Sequence, residues 1–216
     1  MLMEKERIDI VEYGKSLITK GLTKGTGGNL SIYDANTGMM AISPSGIDYF
    51  STKPEDVVIM RLDGTVVEGE RKPSTEYHLH SLVYKNRTDV TSVIHTHSTY
   101  STIMSMMHMD LPAVHYMLAI TGSDVVKCAE YATFGTEELA LKAVKAMGTS
   151  KACFLANHGL LVCGQSIKRT LSVAENVEWI AEMYIKACAV GKPIILTKEQ
   201  MAEVRVGFTS YGQHKK

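Results

Sequence analysis

The amino-acid sequence predicts an α/β fold, a single domain in which helices cover both faces of a central mixed, largely antiparallel sheet. The first observation is that short apolar segments come in pairs joined by turn residues, as around Asp63-Gly64, and such pairs are typical of hairpins. The second is that helical periodicities are interspersed among these pairs, which disfavours a doubly wound parallel sheet. The chain has no linker segment and no internal repeat, so we predict one domain across residues 1–216.

Local patterns predict the individual helices and strands. Apolar residues at helical spacing between Ile8 and Ile18 predict an opening helix that ends at Gly21. Thr136 and Gly148 are a suitable N-cap and stop for a later helix. In chain order, the other predicted elements are strands 29–33, 39–43, 57–62 and 65–68, a helix over 75–87, a strand over 92–97, helices 99–107 and 136–147, strands 152–156 and 160–163, and helices 167–190 and 198–207.

Composition and charge limit the partners that the chain is expected to bind. Its 216 residues carry 23 basic and 23 acidic side chains, so the net charge indicates neither nucleic acid nor an anionic membrane as a partner. No apolar run approaches the roughly 20 residues that span a bilayer, and the charged N-terminal residues do not resemble a signal peptide. Four scattered cysteines without a CxxC pair fit a reducing cytoplasm. No glycine-rich motif supports nucleotide binding.

Two histidines two residues apart carry the strongest functional signal. His95 and His97 end the segment Ser-Val-Ile-His-Thr-His, and side chains at i and i+2 of a strand leave the same face. They can therefore bind one metal ion, and His158 in Ala-Asn-His-Gly is a third candidate ligand that only the fold can bring near. Three neutral histidines with one open position are typical of a catalytic zinc site. The alternative is that the strand histidines are buried and hydrogen-bonded to polar partners.

Four clusters of small residues accompany the histidines, at positions 25–29, 43–46, 73–76 and 157–159. Glycines allow close approach of the backbone, and hydroxyl and amide groups near the start of a helix bind anions. Taken singly, each cluster is an ordinary turn or helix cap. Together they suit a phosphate group held beside a metal ion.

Four further residues have both a structural and a chemical interpretation. Glu76 is predicted in the first turn of the helix over 75–87, where a carboxylate complements the helix dipole. His80, one turn later, is a fourth metal ligand, a partner of a ligand or a packed core histidine. Tyr116 and Tyr211 lie near predicted loops, and each is a packed side chain or, if it reaches the metal site, a proton donor.

In this order, the motifs resemble the class II aldolase family, which also includes the head domain of adducin. The resemblance covers nearly the whole chain, from residues 21–22 to residues 210–212. Its most specific part is Leu-Pro-Ala-Val-His-Tyr-Met-Leu at 111–118, continued by Cys-Ala-Glu-Tyr-Ala-Thr-Phe-Gly-Thr at 128–136. That part is similar to the fuculose-phosphate branch of the family.

The resemblance implies a set of metal ligands and a phosphate pocket. His95, His97 and His158 would bind one Zn²⁺ per subunit, with Glu76 as the fourth ligand when substrate is absent. Phe134 would line the side of the site that receives the aldehyde. The implied phosphate-binding residues are Gly28, Asn29, Ser45, Gly46, Ser74 and Thr75.

The resemblance also implies an assembly, a homotetramer with active sites between its subunits. Tyr116 would reach into the site of a neighbouring subunit. Tyr211 would belong to a mobile C-terminal tail that starts near residue 208. Both tyrosines would then be catalytic in a site that one chain alone does not complete.

The implied reaction is reversible cleavage of L-fuculose 1-phosphate to dihydroxyacetone phosphate and L-lactaldehyde. Breaking the carbon–carbon bond leaves an enediolate, whose charge a zinc ion stabilises as a Lewis acid. In the synthetic direction Glu76 would remove a proton from the hydroxymethyl carbon, and a tyrosine, first of all Tyr116, would protonate the alkoxide of the aldehyde fragment. The phosphate pocket would position the ketose.

Two rival functions share parts of this pattern. One is an L-ribulose-5-phosphate 4-epimerase or another sugar-phosphate lyase on the same scaffold; in the epimerase branch an aspartate takes the place of Glu76, so Glu76 favours the aldolase. The other is a non-catalytic binding module like the adducin head domain. Such modules lack the metal-binding histidines, and all three are present here.

Overall fold

The computed structural model describes residues 1–210, with side chains through Phe208. Within them the α-helices are α1 Glu4–Thr19, α2 Tyr77–Asn86, α3 Thr99–Met106, α4 Glu137–Met147, α5 Ile167–Val190 and α6 Lys198–Ser210. The strands are β1 Asn29–Asp34, β2 Met39–Ile42, β3 Val58–Arg61, β4 Val66–Glu68, β5 Ser92–Thr96, β6 Leu111–Pro112, β7 Val125–Ala129, β8 Ala152–Leu155 and β9 Gly159–Gly164. Two short 3₁₀-helices are Pro54–Asp56 and Tyr116–Thr121.

The described strands form one mixed sheet in the order β4-β3-β2-β1-β5-β9-β8-β7-β6. All neighbouring pairs are antiparallel except β7 and β8, which run parallel. Hairpins account for the β1–β2, β3–β4 and β8–β9 pairs, and Gly64 takes a positive φ of 96° in the β3–β4 turn. The predicted fold class is therefore confirmed.

Alternating side chains of the central strands pack into two hydrophobic cores, one on each face of the sheet. On one face Leu30 and Ile94 are completely buried among residues of α1, α3 and α5. On the other face Val93 and Leu161 are buried among residues of α2 and α4. Burying each such side chain contributes about 1.5–3 kcal/mol, so the core-facing pattern fixes the register in which β5 presents its histidines.

The structure corrects the sequence-based prediction at two places. Helix α2 begins at Tyr77, so Glu76 is its N-cap with φ −97° and not a residue of its first turn. Strands β6 and β7 were not predicted, because their short segments carry no alternating pattern; β7 pairs with β8, and β6 pairs with β7 at the edge of the sheet. The remaining predicted helices and strands are present within a few residues.

None of the helices within residues 1–210 is both long and apolar enough to cross a membrane.

Candidate metal centre and active site

The first two histidines lie at the C-terminal end of β5, a central strand of the sheet. His95 is completely buried and pairs across the sheet with Asn29 of β1, while His97 follows the end of the strand and is exposed. Their side chains leave the same face, and the two Nε2 atoms lie 2.9 Å apart. The prediction that one strand presents both imidazoles to one point is confirmed.

His158 joins them from the turn between β8 and β9. Its Nε2 lies 3.1 Å from Nε2 of His95. The preceding Asn157 has a left-handed φ of 54°, and its backbone N–H donates to the carbonyl oxygen of Ser105 at the end of α3. A Cβ at Gly159 would overlap the Thr96 carbonyl oxygen, so only glycine lets β9 start this close to β5.

The donor set fits a divalent metal ion. His95 Nδ1 donates to the Leu160 carbonyl oxygen at 3.0 Å, which leaves the Nε2 lone pair facing the other imidazoles. Ligands 2.0–2.1 Å from a tetrahedral zinc ion are about 3.3 Å from one another, close to the spacing here. Burial, together with the neighbouring His158 and His97 rings, lowers the pKa of His95 well below its usual range, which keeps it in the neutral form that binds metal.

The Glu76 carboxylate is a fourth candidate donor group, beside the clustered imidazoles. Its Oε2 lies 3.4 Å from Nε2 of His95, and its Oε1 lies 3.4 Å from Nε2 of His158. Oε2 also accepts a hydrogen bond from Asn29 Nδ2 at 2.9 Å. Oε1 is buried and has no hydrogen-bond donor among the described residues. A metal ion would satisfy a buried carboxylate oxygen that has no donor among the described residues and lies beside two of the imidazoles.

The structure places three of the predicted phosphate clusters next to one another around Ser43. The Ser43 hydroxyl accepts from the Leu30 backbone N–H at 3.2 Å, which ties it to the turn containing Gly28. Backbone hydrogen bonds from Ser45 to Lys72 and from Ser74 to Ser43 fasten the other two clusters together. Ser45, Gly46 and Thr75 are exposed, Ser74 is buried, and the Ser74 hydroxyl accepts from the Glu76 N–H.

The side chain of Asn29, which was predicted to bind phosphate, contacts the Glu76 carboxylate. Its Nδ2 donates to Glu76, and its Oδ1 lies 2.5 Å from His80 Nε2. His80 is not a metal ligand in this arrangement, because its other ring nitrogen lies 2.6 Å from the Ser31 hydroxyl. Of its three interpretations, the structure supports a partner of the residues around the metal centre.

A cavity of about 310 Å³ opens in front of the imidazoles, large enough for a small sugar phosphate. It is lined by Thr75, Glu76, His97, Tyr131, Ala132, Phe134, Asn157 and His158. Phe134 and Tyr131 form an exposed aromatic wall. Sequence reasoning did not single out Tyr131, although it lies in the stretch 128–136 that carries the resemblance.

Sequence reasoning also missed Tyr49, which braces the turn containing Gly28. Its ring packs beside Gly14, and its hydroxyl donates to the Gly28 carbonyl oxygen at 2.8 Å. No motif surrounds Tyr49, so only the fold reveals this contact.

Of the two predicted catalytic tyrosines, Tyr116 is not among the residues that line this cavity. Tyr116 begins a 3₁₀-helix, is half-exposed, and stacks on Phe208 of α6 with ring centroids 6.4 Å apart. Tyr211 lies outside the described residues. Residues 208–210 of the predicted tail belong to α6.

Together the fold and the site define an α/β protein that can hold one divalent metal ion beside a cluster of hydroxyl and glycine residues. The family model described as Class II Aldolase and Adducin N-terminal domain matches residues 8–185. The chain belongs to the class II aldolase family.

Individual relatives agree with that assignment. The chain is 47% identical to the 5-deoxy-D-ribulose 1-phosphate aldolase of Bacillus thuringiensis serovar kurstaki, over 99% of this chain and 100% of the relative. It is 39% identical to the L-fuculose phosphate aldolase of Haemophilus influenzae, over 89% and 88% of the two chains. A solved structure of an L-fuculose 1-phosphate aldolase superposes with a TM-score of 0.94 at 44% identity, covering 97% of this chain and 98% of that one.

Proposed function

We propose that this protein is a zinc-dependent aldolase that reversibly cleaves a deoxyketose 1-phosphate into dihydroxyacetone phosphate and a short aldehyde. The observation that carries the proposal is the placement of the Glu76 carboxylate within 3.4 Å of two of the three clustered imidazoles, beside the hydroxyl and glycine clusters. That arrangement joins a carboxylate base, a metal-ligating triad and an anion pocket in one cavity.

When bound by His95, His97 and His158, the metal ion would supply a Lewis acid for the negative charge that develops on the ketone fragment. The Glu76 carboxylate has one oxygen anchored by Asn29 and the other directed toward the imidazoles. It is therefore held within reach of a substrate carbon beside the metal ligands. In synthesis it takes a proton from the hydroxymethyl carbon of dihydroxyacetone phosphate, and in cleavage it returns that proton.

The hydroxyl and glycine clusters would hold the phosphate of the ketose. Thr75 lines the cavity, Ser45 is exposed, and backbone hydrogen bonds from Ser45 to Lys72 and from Ser74 to Ser43 hold their two loops together. Binding energy from this remote group would fix the ketose so that its reacting carbons lie against Glu76 and the metal. Phe134 and Tyr131 would shield the aldehyde end from water.

The two candidate ketose 1-phosphates differ in the aldehyde that their cleavage releases. Cleavage of 5-deoxy-D-ribulose 1-phosphate between C3 and C4 yields acetaldehyde, and the 47% identical relative supports this substrate first. The same cleavage of L-fuculose 1-phosphate yields L-lactaldehyde, and the solved structure at 44% identity supports it as the second candidate. Both substrates end in a methyl group, which suits the aromatic wall of Phe134 and Tyr131.

We further propose that the enzyme is a homotetramer with Tyr116, and Tyr211 from the C-terminal segment, completing a neighbouring subunit's site. The half-exposed ring of Tyr116, which does not line the cavity of its own chain, supports this role. In cleavage, Tyr116 would take the proton of the C4 hydroxyl. A cytoplasmic location is proposed as well, in line with four free cysteines.

The substrate proposal is tested by assaying release of dihydroxyacetone phosphate from 5-deoxy-D-ribulose 1-phosphate and from L-fuculose 1-phosphate, with L-ribulose 5-phosphate as the comparison. We expect release from the two 1-phosphates, with the larger kcat/KM for the first. Epimerisation of L-ribulose 5-phosphate without any release from the 1-phosphates would contradict the aldolase and support the epimerase. Larger kcat/KM for L-fuculose 1-phosphate would reverse the order of the two substrates.

A further inference from the structure

A row of buried polar side chains runs from Glu76 along the inner side of α2. Its members are Glu76, Asn29, His80, Ser31 and Tyr84, and none is more than 6% exposed. Successive atoms lie 2.9 Å apart from Glu76 to Asn29, 2.5 Å from Asn29 to His80, 2.6 Å from His80 to Ser31, and 2.7 Å from Ser31 to Tyr84. Such an unbroken row in a hydrophobic interior is costly unless every member is satisfied.

The chemistry of the groups fixes the direction of every hydrogen bond in the row. An ionised Glu76 only accepts, so Asn29 must turn its amide nitrogen toward it and its amide oxygen toward His80. That oxygen only accepts, so His80 carries its proton on Nε2 and donates it. His80 Nδ1 then accepts from the Ser31 hydroxyl, and the Tyr84 hydroxyl, as donor, shares its proton between Ser31 Oγ and the Ser31 backbone carbonyl oxygen.

The row has no second arrangement that keeps all its bonds while Glu76 is ionised. If the Asn29 amide turned over, its oxygen would face the Glu76 carboxylate, and the bond between them would be lost even if His80 moved its proton to Nδ1. Burial, reinforced by the nearby His95 ring, lowers the pKa of His80 to about 3, so the ring stays neutral and keeps one donor and one acceptor. Asn29 itself is fixed by its sheet pairing with His95.

We propose that His80 is a positioning residue for the reaction: by holding the Asn29 amide, it fixes the orientation in which Glu76 presents its carboxylate to the substrate carbon. This inference rests on the proposed role of Glu76 as the base. Residues that orient groups beside a metal site typically change activity by about 10–100-fold when they are replaced. Within the phosphate clusters, His80 hydrogen-bonds Asn29, and its two ring nitrogens contact Asn29 and Ser31 and not the three histidines of the metal centre.

Three variants distinguish a positioning role of His80 from a role in core packing alone. In His80→Gln the amide nitrogen can replace Nε2 and still donate to Asn29, whereas His80→Leu keeps the volume and removes the donor. Val83→Ala, on the same helix and equally buried, removes core packing without touching the row and serves as the control for general loosening. The direct readout is exchange of the hydroxymethyl proton of dihydroxyacetone phosphate with D₂O by the zinc-loaded protein, followed by NMR.

We expect His80→Leu to slow this exchange by about 10–100-fold with KM and bound zinc nearly unchanged, and His80→Gln to recover most of it. Equal losses in His80→Leu and Val83→Ala, or full exchange in His80→Leu, would overturn the positioning role while leaving the aldolase intact. If the wild-type protein did not exchange the proton at all, Glu76 would not be the base and the proposed function itself would fail.

A second measurement is independent of activity. ¹⁵N NMR of histidine-labelled, metal-free protein reports which ring nitrogen of His80 carries the proton. We expect the Nε2–H form in the wild type, because only that form donates to Asn29. The Nδ1–H form would overturn the inference whatever the enzyme's rate.

Discussion

Replacing Glu76 with Gln removes a base while keeping the shape of the side chain. Asn29 Nδ2 lies 2.9 Å from the retained oxygen and can still donate to the glutamine carbonyl. The glutamine NH₂ then takes the place of Oε1, which has no donor of its own in the described chain. The three histidines remain as ligands, so we expect the fold and most of the bound metal to survive.

The expected loss follows from the chemistry of proton transfer. Removing a positioned general base costs about 10²–10⁴-fold in rate, which corresponds to about 2.7–5.4 kcal/mol in the barrier. Cleavage of the ketose 1-phosphate and proton exchange of dihydroxyacetone phosphate should fall together, because both require the same carbon proton to move. KM should change little, since Ser45 and Thr75 are untouched. Steady-state cleavage, exchange by NMR and metal analysis measure the three quantities.

Glu76→Asp is the matched comparison. The carboxylate is kept but withdrawn by about one C–C bond, roughly 1.5 Å, which breaks its alignment with Asn29 and the imidazoles. It should retain more exchange activity than Glu76→Gln and less than the wild type. Glu76→Gln protein that bound its metal and turned over within threefold of the wild type would refute the assignment of the base.

The remaining predictions concern other parts of the site. Gly28 has φ +73°, and a Cβ there would lie 2.7 Å from the His95 carbonyl oxygen, so Gly28→Ala should cost about 1–3 kcal/mol in unfolding free energy, measured by denaturant titration, and raise KM for the ketose phosphate. His80 has a folded-state pKa of about 3 against an ordinary 6.5, so the unfolded state takes up a proton first as pH falls. The metal-free protein should therefore lose about 1.4 kcal/mol per pH unit from this residue as pH falls from 6.5 to about 3, and His80→Gln should flatten the dependence of unfolding free energy on pH in that window by that amount; an unchanged slope would contradict it. Tyr116→Phe should reduce kcat about 10²–10⁴-fold at unchanged stability, and mixed oligomers of Tyr116→Phe and Glu76→Gln subunits should recover activity if sites are shared; no recovery would argue for sites complete within one chain.

The cluster of three histidines was largely predictable from the sequence. The spacing of His95 and His97 on an apolar strand determines that they share a face, whatever the rest of the fold. His158 was a candidate only through its neighbours in Ala-Asn-His-Gly, because 61 residues of chain separate it from His97 and its approach depends on the β8–β9 hairpin pairing with β5.

The role of Asn29 shows what the sequence could not supply. A Gly-Gly-Asn turn indicates a flexible anion-binding loop, and the resemblance assigned Asn29 to phosphate. Its side-chain direction depends on the pairing of β1 with β5 and on the position of α2, which sets His80 beneath it. Both are long-range features, so the hydrogen bonds to Glu76 and His80 become visible only in three dimensions.

The start of α2 was misplaced for a related reason. Ser74 and Thr75 are favourable helix caps, and propensity alone puts the helix start there. Instead, Ser74 is held by a backbone bond to Ser43, which delays the helix until Tyr77 and leaves Glu76 at the N-cap. That delay turns the carboxylate inward toward the imidazoles.

The central claim is that His95, His97 and His158 hold one divalent metal ion that ketose 1-phosphate cleavage requires. The most direct measurement is cleavage by chelator-stripped protein as zinc is added back in sub-stoichiometric steps. We predict no cleavage before addition and a linear rise that stops at one zinc per chain. Full cleavage by the stripped protein, or a cleavage rate that does not level off at one zinc per chain, would contradict the claim.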